Sequence, residues 1–227
     1  MLALIDADIV SFSCAAYNEE WGWEACREDI DQLMKRILET TGADDYEAFI
    51  SGGNNFRYRI FPDYKANRKG KPQPIYRAEA NAYLVTEYGA KVTDGYEADD
   101  GIGIATNRLD SFIICSIDKD LKQIAGEHYN WRKNEFDTVS VVEGLRSFYR
   151  SVLTGDRTDN IISGLHRMGP VTAGKLINNL EDEWEMYETV KAVYNDDERL
   201  HMNCQLLYIL REENKMWGPP VTPKETY

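Results

Sequence analysis

The stretch Phe112-Ile113-Ile114-Cys115-Ser116-Ile117-Asp118-Lys119-Asp120 decides the fold class of this 227-residue chain. Its apolar first half is typical of a buried strand, and two carboxylates follow directly. A second run, Leu2-Ala3-Leu4-Ile5-Asp6-Ala7-Asp8, has the same form. Between the two runs, apolar residues recur at the spacing of an α-helix, as at Glu24–Thr40. The sequence therefore predicts an α/β fold with a mostly parallel sheet flanked by helices.

The remaining predicted elements continue the alternation of strands and helices. Short strands are predicted at Glu47–Ser51 and Ala90–Thr93, and helices at Tyr76–Tyr88 and Glu97–Arg108. In a parallel sheet, ligand sites lie beyond the carboxyl ends of the strands. Acids follow two strands directly, open the helix at Glu97, and recur after a helix that ends near Leu153. We therefore expect four segments to deliver carboxylates to one edge of the sheet.

Such a cluster of carboxylates needs cations, because like charges a few ångströms apart repel strongly. Oxygen ligands favour hard divalent ions, Mg²⁺ or Mn²⁺. The three histidines (His128, His166, His201) lack the spacing of zinc ligands. Two divalent ions can activate water and stabilise a leaving oxygen, which suits hydrolysis of a phosphate ester. Considered by itself, Asp8 is interpreted as a structural residue or as one that contacts the metal ligands and not the metal.

The charge of the chain is unevenly distributed. The formal net charge is −13, which by itself argues against a nucleic-acid partner. Between Arg57 and Arg77, however, seven basic residues face the single acid Asp63. Pro62 to Pro74 is basic and poor in aliphatic residues, so we expect a mobile excursion from the core. Charge alone leaves a solvated loop as an equal alternative to phosphate binding.

The localisation predicted from the sequence is the cytoplasm. The four cysteines lie far apart without a C-x-x-C pair, and Cys115 is expected to be a buried thiol. No apolar run approaches the roughly 18 residues of a membrane span, so no membrane partner is expected. The start of the chain reaches Asp6 too early for the apolar core of a signal peptide.

Four motifs in this order resemble the 5′-nuclease family of phages and bacteria, which contains 5′–3′ exonucleases and flap endonucleases. They are Pro62-Asp63-Tyr64-Lys65-Ala66-Asn67-Arg68-Lys69, Glu97-Ala98-Asp99-Asp100, Ser116-Ile117-Asp118-Lys119-Asp120 and Gly155-Asp156-Arg157-Thr158-Asp159. The resemblance covers about residues 1–180. It implies a PIN-like core in which eight acids surround the metals: Asp6, Glu97, Asp99, Asp100, Asp118, Asp120, Asp156 and Asp159.

The resemblance also implies that the basic segment, about residues 57–77, forms a helical arch or clamp over a single strand. Lys65 and Arg68 would reach the scissile phosphate as catalytic residues. Tyr64 would stack on a base, with packing as the equal alternative. Arg57 and Lys69 are further predicted DNA contacts.

A second module is expected after Gly155. Residues 163–175 read as a glycine-rich turn and a helix with Pro170 at its first position. They resemble the helix-three-turn-helix of the same family, which implies backbone contacts to duplex DNA through Gly164, Gly169 and Lys175, and a bound K⁺ ion. An αα-hairpin that only packs is the alternative. The predicted domains are 1–154 (core and arch), 155–195 (helix-three-turn-helix) and 196–227 (C-terminal helix and tail).

One departure from the family concerns the end of the second strand. The family often has a metal-site Asp before the Asn-Phe-Arg element, whereas this chain reads Ser51-Gly52-Gly53-Asn54-Asn55-Phe56-Arg57. Either one metal is held more weakly or through water, or the glycines let the DNA backbone approach closely.

The predicted function is a metal-dependent 5′–3′ exonuclease or 5′-flap endonuclease of phage DNA replication or degradation. The expected partners are two Mg²⁺ or Mn²⁺ ions and DNA with 5′ ends or flaps, with an RNA–DNA hybrid as a further substrate. We expect a monomer, in the bacterial host cytoplasm if the gene belongs to a phage. The alternatives are a haloacid-dehalogenase-like phosphatase with Asp6 as nucleophile and Asp8 as acid/base, a PIN-type ribonuclease, and a non-catalytic nucleic-acid-binding protein.

Overall fold

The computed structural model describes residues 1–221, which form one six-stranded sheet with helices on both faces. The strands are β1 Leu2–Asp6, β2 Asp45–Ser51, β3 Lys91–Thr93, β4 Phe112–Cys115, β5 Gly126–Asn130 and β6 Glu135–Val139. The α-helices are α1 Ala7–Tyr17, α2 Trp23–Thr41, α3 Arg57–Ile60, α4 Arg77–Tyr88, α5 Ala98–Thr106, α6 Val141–Thr154, α7 Pro170–Ile177, α8 Glu183–Val193 and α9 Asp197–Leu207.

The sheet has the strand order β3–β2–β1–β4–β5–β6. The first five strands are parallel, and β6 returns antiparallel to β5. The α/β class and the mostly parallel sheet are thereby confirmed. Because β1 is central and β2 and β4 flank it, the carboxyl ends of three strands meet at one edge.

Alternation of side chains along β1 produces the two layers of helices. Ala3 and Ile5 are fully buried in the cluster that includes residues of α1, α2 and α4. Leu4 points to the opposite face and packs with Ile102 of α5 and with Ile209. Each face of the strand therefore has its own apolar cover, which is why the run lacks polar residues.

The predicted elements of the core are present, with boundaries shifted by at most two residues. Helices α2 and α4 end at glycines, since Gly42 and Gly89 both adopt the left-handed conformation at φ +63°. Two features have no counterpart in the prediction: α1, which begins directly after β1, and the β5–β6 hairpin. Strand β6 is mostly exposed, so its sequence lacks apolar alternation.

A second apolar cluster joins α6 to α7, α8 and α9. It contains Phe148, Ala173, Val190 and Cys204, and Trp217 packs into it after the last helix. Leu206, Ile209 and Leu210 are buried, and Leu207 is partly buried. The division of the chain at residues 154 and 195 stays a prediction, and the predicted tail beyond residue 221 lies outside the described residues.

None of the helices within residues 1–221 combines the length and the apolar character that crossing a membrane requires. The four cysteines are free and buried, and Cys115 is fully buried as predicted.

Candidate active site at the carboxyl edge of the sheet

The carboxyl edge of the sheet opens into a cleft of about 600 Å³, which we call the acidic cleft. Its walls come from the end of β1, the start of α5, the loop after β4 and the loop after α6. Seven of the eight predicted metal ligands line it: Asp6, Glu97, Asp99, Asp118, Asp120, Asp156 and Asp159. The structure thus brings together carboxylates from four segments of the sequence. Their role as metal ligands stays a prediction.

Asp6 lies at the junction of β1 and α1. Its side chain caps α1 by accepting a hydrogen bond from the amide of Ile9 at 3.2 Å, and it accepts another from the Ser116 hydroxyl at 2.8 Å. Burial, followed by the charge of Asp8 and with a smaller contribution from Asp118, raises its pKa to about 7. A carboxylate held this way is costly to ionise unless a cation lies beside it.

Asp118 and Asp120 occupy the turn that follows β4. The Asp118 amide donates to the Ser116 hydroxyl at 2.9 Å, and the Asp118 carboxylate accepts from the Asp120 amide at 2.9 Å. These bonds fix the backbone of the turn and the Asp118 carboxylate, and both side chains line the cleft. Burial raises the pKa of Asp120 to about 6, and the charge of Asp118 is the next largest cause.

Glu97 and Asp159 face each other across the cleft, with Tyr64 between them. The Tyr64 hydroxyl lies 2.9 Å from both the Glu97 and the Asp159 carboxylates. Lys65 contacts Glu97, and its ammonium lies 3.6 Å from Asp159. Burial, followed by the charge of Glu97, raises the pKa of Asp99 well above its usual range.

Arg68 completes this group of cations above the acids. Its guanidinium pairs with Asp159 and donates to the carbonyl of Thr158 at 3.1 Å. The side chains of Lys65 and Arg68 are 19% and 44% exposed, so both can turn toward a ligand in the cleft. The structure therefore places the two predicted catalytic cations at the predicted acids.

Asp100 and Arg57 are exceptions to the predicted site. The two carboxylate oxygens of Asp100 accept hydrogen bonds from the Arg57 guanidinium at 2.6 and 3.0 Å. Asp100 is fully buried and Arg57 is 2% exposed. Arg57 also donates to the carbonyls of Leu206 and Tyr208. The expected metal contact of Asp100 and DNA contact of Arg57 are wrong for this conformation, because each side chain is sealed against the other.

The expected mobility of the basic segment is also wrong for its first half. Tyr64 is 2% exposed and packs in a cluster with Ile161 and Leu206, so packing prevails over the expected stacking on a base. The Lys65 amide donates to the carbonyl of Asp159 at 2.9 Å, and Asn160 donates to the carbonyl of Asp63 at 2.8 Å. Residues 57–68 contain one α-helical turn and one 3₁₀ turn, whereas Lys69, Gly70 and Lys71 are exposed.

The glycine-rich turn before α7 has the geometry expected of a phosphate cradle. Gly164 adopts φ +80°, and Gly169 caps α7 with Pro170 at the first helical position. A side chain at Gly169 would meet no atom within 4 Å, so the space before the helix is open. Lys175 is exposed on the same helix. The turn is therefore accessible to a duplex, and the contact itself stays a prediction.

A second cleft of about 420 Å³ shares the wall of acids and continues toward α6 and α7. Glu97, Asp120 and Asp159 line both clefts, and Arg150 and Pro170 line only the second. No pattern in the sequence indicated Arg150, because its position depends on how α6 packs. Asp8 and Arg77 also line the acidic cleft. Asp8 was expected at this edge but not among the ligands, and Arg77 was expected only as part of the basic segment.

The donor atoms suit a hard cation. Carboxylate oxygens dominate the ligand-capable groups of the cleft, and burial, followed by like charges nearby, raises the pKa of Asp6 and of Asp120, a cost that a divalent ion would relieve. Within residues 1–221, however, no three His, Cys, Asp or Glu side chains already converge on one point with the spacing of a metal site. Binding a metal therefore requires side-chain rotation, for example of Glu97 and Asp159 away from Lys65.

Comparison with known proteins places this geometry in a family. Residues 23–148, more than half of the chain, match the model of the 5′-3′ exonuclease N-terminal resolvase-like domain. A 5′-3′ exonuclease of Buchnera aphidicola (Schizaphis graminum) is 30% identical over 67% of this chain and 56% of its own length. The flap endonuclease Xni of Shewanella pealeana is 27% identical over 78% of this chain and 69% of its own. The chain thus spans just over half the length of the exonuclease.

Solved structures share the fold at low sequence identity. The bacteriophage T5 flap endonuclease, solved with DNA and metal ions, superposes with a TM-score of 0.71 at 15% identity, over 91% of this chain and 88% of that one. The catalytic core of Rad2 in complex with DNA gives a TM-score of 0.52 at 17% identity, over 87% and 65%. The architecture and the family model agree, and this chain belongs to the 5′-3′ exonuclease family through its N-terminal resolvase-like domain.

Proposed function

We propose that this protein is a divalent-metal-dependent 5′ nuclease that hydrolyses phosphodiester bonds of DNA at 5′ ends and flaps. The observation that carries the proposal is the acidic cleft, which four segments of the chain line with seven carboxylates and which Lys65 and Arg68 also line. Cations above and acids below provide both the phosphate contact and the metal ligands that such hydrolysis needs.

The carboxylates form two groups that suit two ions of Mg²⁺ or Mn²⁺. Asp6, Asp118, Asp120 and Asp156 lie on the side of β1 and β4, whereas Glu97, Asp99 and Asp159 lie beneath Lys65 and Arg68. When bound, divalent ions supply activation of water and stabilisation of the leaving oxygen. The Ser116 hydroxyl donates a hydrogen bond to Asp6 and accepts one from the Asp118 amide, which positions both residues for metal binding.

Lys65 and Arg68 act on the phosphate itself. In the described conformation they neutralise Glu97 and Asp159. A metal ion bound by those carboxylates would replace this neutralisation, so the two cations become available to a phosphate in the cleft. They then offset the charge that builds up on the phosphate oxygens as the bond breaks.

The substrate class follows from the shape around the site. The second cleft leads from the acids to the amino terminus of α7, where open amides before Pro170 suit a duplex phosphate. Gly164, Gly169 and Lys175 provide this grip, with a K⁺ ion in the preceding turn. The exposed Lys69 contacts the single strand. Relatives named exonuclease and flap endonuclease support both DNA ends and flaps as substrates, and we extend the proposal to RNA–DNA hybrids and to a monomeric enzyme of the cytoplasm.

The test is magnesium-dependent cleavage of 5′-labelled duplex and flap DNA, with the same structures in RNA as a comparison. The double variant Asp118→Asn, Asp120→Asn should abolish cleavage while DNA binding survives or tightens, since two negative charges are removed from the phosphate path. Asp94→Asn with Asp110→Asn is the matched control, because both are exposed outside the cleft.

Three outcomes would replace the proposal. Faster cleavage of RNA than of DNA would favour the PIN-type ribonuclease. An active double variant together with a phosphorylated Asp6, seen by mass spectrometry during turnover of a phosphomonoester, would favour the phosphatase. DNA binding with no cleavage under any divalent ion would leave the non-catalytic binding protein.

A further inference from the structure

Strand β2 ends at the cleft without an acid, and the structure shows why position 52 cannot supply one. A Cβ atom on Gly52 would lie 2.0 Å from the carbonyl oxygen of Thr93 and 2.9 Å from a methyl group of Val92. Strand β3 therefore excludes any side chain there. Packing of the sheet is therefore sufficient to explain the glycine at position 52, and the two alternatives for the missing acid stay predictions.

The carboxylate of Asp8 lies at the end of β2 instead. Asp8 is in the first turn of α1, and its Oδ2 accepts a hydrogen bond from the Ser51 amide at 3.0 Å. Its side chain is 18% exposed and lines the acidic cleft. Helix α1 thus supplies a carboxylate to the place where β2 has none.

Ser51 joins Asp8 to the amino terminus of α5. The Ser51 hydroxyl accepts a hydrogen bond from the Ala98 amide at 2.9 Å, and Ala98 lies between Glu97 and Asp99. Asp8 is also close enough to Asp6 for its charge to affect that carboxyl group. Asp8 is therefore held between the Asp6 group and the Glu97 group of carboxylates.

The second carboxylate oxygen of Asp8 remains available. Oδ1 forms a long ion pair with the Arg77 guanidinium at 3.7 Å and accepts no hydrogen bond from residues 1–221. One oxygen is thus fixed by Ser51, while the other has only this long contact with a residue that also lines the cleft. This is how a carboxylate ligand is commonly oriented, with one hydrogen-bonded oxygen and one for the metal.

We propose that Asp8 is an additional carboxylate of the divalent-cation site and substitutes for the acid missing from β2. The proposal rests on the proposed function, because it assigns a residue to the metal site of that enzyme. A purely structural Asp8 would act only as a favourable charge at the start of α1 and as a distant partner of Arg77.

Metal binding without substrate separates these two roles. Titration of the intact protein with Mn²⁺, followed by calorimetry and by electron paramagnetic resonance of free Mn²⁺, gives the number and the affinity of the sites. Asp8→Asn keeps an oxygen for the Ser51 amide and replaces the other oxygen with an uncharged NH2 group, which does not bind a cation. We expect about tenfold or weaker affinity at one site, a loss typical of groups that bind or orient a metal ligand.

Asp94→Asn is the matched control. It removes one charge from an exposed residue that follows the neighbouring strand β3, outside the cleft, and should bind Mn²⁺ within about twofold of the parent. The thermal midpoint of both variants in EDTA verifies that they are folded.

An Asp8→Asn variant that binds Mn²⁺ with unchanged number and affinity of sites overturns the proposal and leaves the proposed nuclease intact. Equal weakening by Asp94→Asn overturns it too, because the effect would then be one of net charge. A parent protein that binds no Mn²⁺ refutes the metal-dependent function itself, which is a separate result.

Discussion

The buried pair of Arg57 and Asp100 and the acidic cleft solve the same electrostatic problem in opposite ways. Asp100 is neutralised inside the protein by a two-pronged contact with Arg57, and both are sealed from water. Asp6 and Asp120, by contrast, have like charges as neighbours, which contribute to their raised pKa values. Some acids therefore stabilise the fold through a buried ion pair, whereas others need a cation to offset their charge. Asp99 and Asp100 are adjacent in sequence, but Asp100 belongs to the first class and Asp99 to the second.

The largest expected effect concerns the buried pair. Arg57→Met leaves the Asp100 charge buried without its partner, which should reduce the free energy of unfolding by about 3–5 kcal/mol. Urea unfolding monitored by circular dichroism measures this loss. Arg59→Met is the matched control, since Arg59 lies on the same short helix α3 and is exposed. A loss no larger than that of the control would contradict the structural role of the pair.

The next effect concerns the cations above the cleft. Lys65→Ala and Arg68→Ala should each slow single-turnover cleavage about 100-fold, or about 3 kcal/mol, because a charge on the reacting phosphate is left unopposed. Duplex binding should change far less, since the proposed duplex grip lies at α7. Arg59→Ala serves as the control for basic charge. Rates within twofold of the parent for both variants would remove this segment from the mechanism.

The smallest expected effect is an increase in the free energy of unfolding, whereas the first was a decrease. The folded-state pKa of Asp6, about 7, exceeds its ordinary value, so the stability of the metal-free protein falls as the pH rises from that ordinary value to about 7, and the loss is complete above it. Asp6→Asn keeps one acceptor oxygen for the Ile9 amide and places an NH2 group, a donor, beside the Ser116 hydroxyl. Because it removes the buried charge, it should raise the free energy of unfolding in EDTA at pH 8 by about 2 kcal/mol. Urea unfolding at pH 8 and pH 5 measures it. The gain should shrink at pH 5, where Asp6 binds a proton in the folded state.

Magnesium gives the complementary control for Asp6. Added Mg²⁺ should stabilise the parent protein more than Asp6→Asn, because a ligand that binds only the folded state raises its stability. A variant that is less stable than the parent in EDTA would place Asp6 with Asp100 among the structural acids.

Local sequence predicted the cleft because its acids follow strands directly. Asp6 and Asp118 come after apolar runs whose form defines β1 and β4, so adjacency along the chain was sufficient to place them. The same logic failed for Asp100. Its carboxylate accepts from the backbone amide of Glu97 at 3.0 Å, a capping contact that three-residue spacing also predicts.

Long-range packing explains what local sequence could not predict. Arg57 is buried by the carbonyls of Leu206 and Tyr208, about 150 residues further along the chain, and its surroundings in sequence are basic and polar. Tyr64 is buried by Ile161 and Leu206 in the same manner. Charge patterning reports the composition of a segment, whereas burial depends on partners that only the folded chain supplies.

The contacts of the segment around residue 210 also constrain the order in which the molecule is made. Arg57 donates to the carbonyls of Leu206 and Tyr208, and the Leu210 amide donates to Asp100. During synthesis, both charges must remain solvated until these residues have left the ribosome. The start of the acid-bearing helix α5 can therefore reach its final position only after residue 210 has left the ribosome. Nascent chains shorter than about 210 residues would expose the basic segment to proteases while lacking an assembled cleft.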